Sequence, residues 1–385
     1  MDARSLLQSG AEALRKGDAR GARDLFGEIV AAGKADAMVW LGLALACRGL
    51  NDNEAKLAAI DKVLALDPRN VRALILKADH LGAAGDVQSA SSFYRAAIRA
   101  TPPPGQLSPE LSAEVRRAQD ACERYARRYQ EHVLATLRAE GFDRKTSSSR
   151  FVQSLDILFG EKQIYFQEPR KFFFPGLPNI QFYERGDFPW LVAVEDATDD
   201  IRAELLAVLE EKGAFAPYVG GAEGGPPVDY HGMFDNPDWS AFYLWKNGEL
   251  APENAARCPA TLRALEGVPA PRIKNFSPTV MFSLLRPGAR IPPHNGFLNT
   301  RLICHLPLIV PETCGFRVGN DVRSWETGKA LMFDDTIEHE AWNESGKVRV
   351  VLLFDVWRPE LSEEERRLVT AMFDATDTKP PGPDM

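Results

Sequence analysis

The stretch IPPHNGFLNTRLICHLPLIV, residues 291–310, decides how this chain folds. Two more stretches follow closely, WETGKALMFDDTIEHEAWNES (325–345) and VRVVLLFDVW (348–357). In them, β-branched and aromatic runs at 302–310, 330–333 and 348–356 are separated by Gly, Asn and Asp. Such short runs between turn residues read as antiparallel strands of a small barrel or jelly roll. His294, His305 and His339, three of the six histidines, lie inside this region. Inward and outward positions alternate along barrel strands, so histidines on neighbouring strands can face one interior point. His294 is expected at the end of one strand and His339 at the start of a later one. Arg349 follows His339 by ten residues, which lets the next strand return beside the same point.

These residue types suit one chemistry. Neutral imidazoles hold Fe(II), open positions take a 2-oxo acid and then O2, and a deep guanidinium pairs with the far carboxylate. Oxygenases of this kind usually carry a carboxylate ligand two residues after the first histidine. Here His294-Asn295-Gly296 puts glycine at that position. Spacing alone leaves two readings open: a metal site, or histidines satisfied as ordinary polar strand residues.

The segments HNG (294–296), CHLPL (304–308), WETGK (325–329), FDDTIEHE (333–340) and RVVLLFDVWRPE (349–360) resemble the aspartyl/asparaginyl β-hydroxylase family. FFFPGLP (172–178), FPW (188–190) and DWSAFYLWKNG (238–248) fit the same family, so the resemblance extends over about residues 160–362. It implies a double-stranded β-helix (jelly-roll, cupin-like) oxygenase domain and Fe(II), 2-oxoglutarate and O2 as reaction partners. Its best-known members hold iron with two histidines and no carboxylate, so Gly296 matches the family pattern. By the resemblance, His294 and His339 are the iron ligands. Arg349 meets the distal carboxylate of 2-oxoglutarate with Ser283 nearby, and His305 meets its other end. The Trp239 indole N–H can donate to a carboxylate, although aromatic strands are more often core. Asp335 is expected to orient a ligand imidazole or metal-bound water, with a plain turn aspartate as the alternative. Arg301 is expected near the mouth, facing an acidic substrate. Animal peptide hydroxylases of the family have a second arginine two residues further on, where this chain has Ile303.

The whole chain, 385 residues with 45% hydrophobic composition, allows two packed domains. A net charge of -8 with no long basic run argues against a nucleic-acid partner. No signal core or membrane-spanning run is expected, so the chain reads as cytoplasmic. Five cysteines without CxxC spacing argue against a disulfide framework or zinc cluster. Animal members of the family carry a disulfide in the catalytic domain. Cys258 has no near partner here, which fits a reducing cytoplasm.

Residues 3–104 repeat with a period of 34, aligning Leu6 with Trp40 and Leu74, Gly10 with Ala44 and Ala78, and Phe26 with Ile60 and Tyr94. Pro68 and Pro102 follow the second helix of their repeats, where a helix cannot continue. The pattern resembles tetratricopeptide repeats, although Lys56 stands where Ala22 and Ala90 are small. Such a stack can hold a peptide or protein, or can serve only to dimerise or stabilise. TPPPGQLS (101–108) interrupts the helices, and residues 111–140 resume helical spacing as a cap on the stack. His80 and His132 sit on helices without a ligand at metal spacing.

The expected fold class is therefore α + β. Residues 1–142 form an all-α tetratricopeptide-like helical repeat domain with its capping helix. Residues 143–150 (DRKTSSSR) form a linker, and residues 151–385 form the oxygenase domain. A helix is expected at 198–212, and the glycine-rich 220–235 loop with His231 reads as a lid. The function this implies is hydroxylation of an unactivated C–H bond, first the β-carbon of Asp or Asn in a peptide. A free amino acid, a natural-product intermediate or a lipid acyl chain is the alternative, and a repeat-based adaptor with a degenerate barrel is a third reading. Oligomeric state is not legible.

Overall fold

Aspartate or asparagine opens each helix of the repeat region. Asp2, Asp18, Asp36, Asp52, Asn70 and Asp86 each accept a backbone N–H from the first turn of the helix that follows. This satisfies donors that a helix start leaves unpaired. The helices are α1 (Ala3–Arg15), α2 (Ala19–Ala31), α3 (Ala37–Gly49), α4 (Asn53–Leu66), α5 (Val71–Ala83) and α6 (Val87–Ala100). They pack as consecutive antiparallel pairs, as the 34-residue period requires. Phe26, Ile60 and Tyr94 are all buried, as are Ala44 and Ala78. Glycine is needed where Phe26 wedges between α1 and α3. A Cβ at Gly10 or Gly42 would lie 2.9 Å or 2.5 Å from its ring. α7 (Pro109–Ala139) packs Val115, Ala118 and Ala121 against Leu74, Ala78, Tyr94 and Ala97, closing the stack as expected.

The computed structural model describes residues 2–103, 106–219 and 232–376. It divides into two compact units, Met1–Phe159 and Gly160–Met385. The division falls later than the expected linker at 143–150. Serines 147–149 open a helix, α8 (Ser149–Leu158), instead of remaining extended. Residues 151–159 therefore belong to the first unit. Residues 220–231 of the expected lid, His231 included, lie outside the described residues.

The second unit is built on two antiparallel sheets. The larger runs in the order β1 (Phe182–Tyr183), β10 (Leu331–Phe333), β7 (Arg301–Ile309), β12 (Arg349–Trp357), β5 (Val280–Leu285), β3 (Trp239–Lys246), β2 (Ala216–Pro217). A short β4 (Glu249–Leu250) pairs with β3. The smaller sheet runs β6 (Arg290–His294), β11 (His339–Asn343), β8 (Cys314–Val318), β9 (Asp321–Arg323). This is the expected double-stranded β-helix, and the three decisive strands sit within a residue or so of their expected limits.

Period-two alternation sorts the side chains of the larger sheet. Leu302, Cys304, Leu306, Phe282, Leu352 and Phe354 join one core, packed against α9 (Leu191–Asp196) and α10 (Thr198–Leu209). Trp239, Leu285, Ile303, Phe333 and Val351 face the other way. With Ile291, Phe316, Val318 and Ala341 of the smaller sheet they form a second core. The functional side chains emerge from that second, inter-sheet layer. Among the described residues, no helix is long and apolar enough to cross a membrane.

Candidate active site

β6 ends on His294 and β11 begins on His339, and the antiparallel register sets these residues directly opposite one another. Their ring centroids are 4.1 Å apart. Each Nδ1 lies on a carbonyl two residues back: His294 on Pro292 O at 2.8 Å, His339 on Ile337 O at 3.1 Å. A carbonyl only accepts, so each Nδ1 carries the proton and each Nε2 keeps its lone pair. Burial, and then His294 beside it, hold the His339 pKa well below the usual range. A neutral imidazole is the metal-binding form. Among the described residues, no group of three or more His, Cys, Asp or Glu is placed to hold a metal.

Glycine at 296 has a local cause. Its N–H donates to the Asp335 carbonyl at 2.6 Å, and the Asp335 carboxylate fills the space a side chain there would need. A carboxylate cannot be carried on residue 296 unless Asp335 moves. Asp335 is itself buried; desolvation lifts its pKa to about 7, partly offset by Arg301. One of its oxygens has no hydrogen-bond partner.

Arg349 opens β12 at 1% exposure, stacked 4.8 Å over the Trp325 ring. Its Nη1 donates weakly to the Ser283 carbonyl at 3.4 Å, and its Nε has no partner. No carboxylate of the described residues pairs with it. Burial pushes its pKa down to about 10. Ser283 accepts from Trp239 Nε1 at 3.2 Å, so that indole is committed to the serine oxygen. His305 Nδ1 and Trp325 Nε1 are buried without partners, and burial, then Arg349, hold the His305 pKa low.

Arg301 is corrected. It was expected at the mouth, but it is 7% exposed and already paired. Its Nη1 donates to Asp355 Oδ2 at 2.7 Å, and its Nη2 lies 3.7 Å from Asp335 Oδ2. The reason is register: Trp357 pairs with Arg301 and Asp355 with Ile303, so Asp355 faces inward one step along β12 from Arg301. Burial lowers the Arg301 pKa, but the two carboxylates raise it by more. Sequence reasoning missed Asp355, although a lone acid in the apolar strand RVVLLFDVW is a signal for a buried partner. It also passed over Trp325, whose ring supports Arg349.

All these groups line one cavity of about 870 Å³: His294, His339, Arg349, Ser283, His305, Trp239, Asp335 and Arg301. Its chemistry fits the implied cofactor set. Two lone-pair imidazole nitrogens suit Fe(II), and a buried guanidinium without a counter-ion, beside orphaned donors, suits a dicarboxylate.

The sequence profile of the Aspartyl/Asparaginyl beta-hydroxylase family matches residues 195–359. An ornithine lipid ester-linked acyl 2-hydroxylase of Rhizobium tropici is 33% identical over 232 residues, covering 60% of this chain and 76% of that protein. This chain belongs to the aspartyl/asparaginyl β-hydroxylase family. The human aspartyl/asparaginyl beta-hydroxylase is 37% identical over 175 residues, 45% of this chain but only 21% of the human protein. The helical repeats resemble the TPR2B domain of yeast Sti1, solved as a complex with pHsp70, at 25% identity and a TM-score of 0.27. That match covers 31% of this chain and 96% of the domain. Every residue lining the cavity except Arg170 and Lys171 lies inside the profile match.

Proposed function

We propose that the protein is an Fe(II)- and 2-oxoglutarate-dependent dioxygenase that hydroxylates an unactivated C–H bond. The observation that carries this is Arg349, a buried cation with no acidic partner among the described residues, in the same cavity as two facing imidazoles. An unpaired buried charge is costly and persists where a ligand completes it. Bound at His294 and His339, Fe(II) would supply activation of O2 coupled to oxidative decarboxylation of 2-oxoglutarate.

The chain's own residues do the rest. Arg349 receives the distal carboxylate with its planar fork, and Ser283, held by Trp239, offers a hydroxyl beside it. His305 donates toward the other end of the cosubstrate. Asp335, buried against Gly296 with one oxygen unpartnered, would orient water beside the two imidazoles. Phe316, Phe333 and Leu353 line the cavity and keep bulk water from the reacting carbon.

The β-carbon of an Asp or Asn residue is the substrate the family name supports. The Rhizobium relative favours a second reading, hydroxylation of a lipid acyl chain. A peptide or protein could be held by the helical repeats, and five free thiols support a reducing compartment such as the cytoplasm. The intact cavity weighs against a degenerate, non-catalytic barrel.

The test is anaerobic Fe(II) titration of the wild type and of His294→Ala with His339→Ala. Exposure to O2 follows, with succinate detection in the presence of Asp/Asn peptides, free amino acids or acyl lipids. The double variant should lose metal binding and turnover while keeping its melting temperature. Turnover of 2-oxoglutarate that survives both substitutions would overturn the assignment.

A further inference from the structure

The charge of the cavity lining runs against that of the chain. The chain carries a net charge of -8, yet five cations line the cavity, Arg170, Lys171, Lys246, Arg301 and Arg349, against one carboxylate, Asp335. The two buried arginines are accounted for. Arg301 is neutralised by Asp355 and Asp335, and Arg349 is reserved above for the cosubstrate. Arg170, Lys171 and Lys246 are exposed, so they stand at the open end. Glu168 and Glu249, which flank them in sequence, do not line the cavity. The Lys246 ammonium lies over the Tyr243 ring, 5.0 Å from its centre, rather than on Glu249 across the β3–β4 hairpin.

The three cations occupy two corners. Arg170 and Lys171 donate their backbone N–H groups to the carbonyls of Gly296 and Phe297, at 2.9 and 3.0 Å, and so stand beside the segment that leaves His294. Lys246 ends β3, the strand whose first residue, Trp239, has its ring 5.9 Å from that of His294. The extended chain from Trp239 to Lys246 spans roughly 23 Å. One corner is therefore tied to the exit of β6 in the smaller sheet and the other to the far end of a strand in the larger one. Phe297 at the first corner and Phe276 near the second both line the cavity and share one apolar cluster. The Gly248 N–H bonds the Pro278 carbonyl at 3.0 Å and holds the Lys246 turn against the chain that carries Asn275 and Phe276.

A ligand with a single anionic group satisfies one corner and leaves the other. An extended polypeptide lying across the mouth can present a carboxylate to each, because its side chains recur along its length. We propose that Arg170 with Lys171, and Lys246, are two anion-recognising corners that seat a polypeptide carrying acidic residues on both sides of the residue to be hydroxylated. The inference rests on the peptide reading above and adds to it a requirement on the flanking sequence. Exposed cations attract such a segment over a distance, which speeds its association and weakens with salt.

The experiment uses the full chain with anaerobic Fe(II), followed by calorimetry. 2-Oxoglutarate is titrated first, and failure of the wild type to bind it would overturn the dioxygenase reading itself. Peptides of one length that share a central aspartate are then titrated into the saturated protein. They carry glutamates on both flanks, on the N-terminal flank alone, on the C-terminal flank alone, or glutamines throughout. At low salt the wild type should bind the doubly acidic peptide about tenfold more tightly than the glutamine peptide, each flank contributing roughly two- to fivefold. The gain should shrink in about 0.5 M salt. Lys246→Gln should erase the gain from one flank, and Arg170→Gln with Lys171→Gln the gain from the other, with 2-oxoglutarate affinity unchanged. Should a variant fail to bind 2-oxoglutarate, the wild-type series decides alone. An N-dodecanoyl amino acid is the single-headed comparison. Its binding in the absence of any peptide binding, or binding of neither, would overturn the peptide reading and the two corners with it. Peptide binding that ignores the flanking charge, or loss of the same flank's gain in both variants, would overturn the corners alone.

Discussion

At the scale of single residues, Arg349 is held in a state that costs stability and that, on the proposed function, a bound carboxylate would relieve. Its guanidinium is buried, its Nε is unsatisfied and its pKa is pulled down to about 10. Lysine keeps the charge but loses the bidentate fork, so Arg349→Lys should weaken 2-oxoglutarate binding. Loss of roughly 1.5–3 kcal/mol corresponds to an increase of about 10- to 150-fold in Kd. Arg349→Met should abolish that binding and yet stabilise the ligand-free protein by on the order of 1 kcal/mol, which raises its thermal midpoint. Calorimetry on the two variants checks both, and a melting temperature that falls in the methionine variant would show that the cation is not strained. Arg301, of the same residue type and on the neighbouring strand β7, has the opposite status because Asp355 reaches it. The sequence distinguishes neither arginine from the other by composition or neighbours.

At the scale of elements, one buried ion pair and one with a half-exposed arginine tie strands to the turns near the site. Arg358, just past β12, is fully buried. It bonds Asp334 at 3.0 Å and the carbonyls of Asn299 and Pro178 at 3.1 and 2.9 Å. Asp334 also accepts from Thr336 N–H and hydroxyl, and so fixes the turn that leads to His339. Removing one partner strands the other, so Arg358→Met should cost about 3–5 kcal/mol in a urea titration. Arg358→Met with Asp334→Leu should recover much of that loss, because no buried charge is then left alone.

Glu195, at the end region of α9, anchors the approach to β10 by accepting from Ala330 N–H at 3.0 Å and from Arg185. Burial raises its pKa, but Arg185 and the Ala330 N–H lower it by more, which leaves the carboxyl below the usual glutamate range. A depressed carboxyl adds stability that is present above its unfolded pKa and lost as pH falls through the folded one. The thermal midpoint of the wild type should therefore drop more steeply below about pH 4.5 than that of Glu195→Gln. Parallel curves for the two proteins would remove Glu195 as the cause.

At the scale of the whole molecule, each compact unit has its own cores: Phe26, Ile60 and Tyr94 serve one, and the two faces of the larger sheet serve the other. Residues 160–385 expressed alone should fold cooperatively and bind Fe(II) and 2-oxoglutarate with the affinity of the full chain, as calorimetry would measure. A large loss of affinity would mean that the repeats complete the site. The sequence by itself determined the helical repeats, the strand segments and the alternation that sends Arg301, Ile303 and His305 to one side. These follow from periods of 34 and 2 and from capping residues, all of which act over short stretches of chain. Only the tertiary structure decided that Asp355, 54 residues from Arg301, neutralises it, and that the Asp335 carboxylate occupies the space beside Gly296. Charge status and steric room depend on strand register and burial, and these are fixed by which distant segments pair across the sheets.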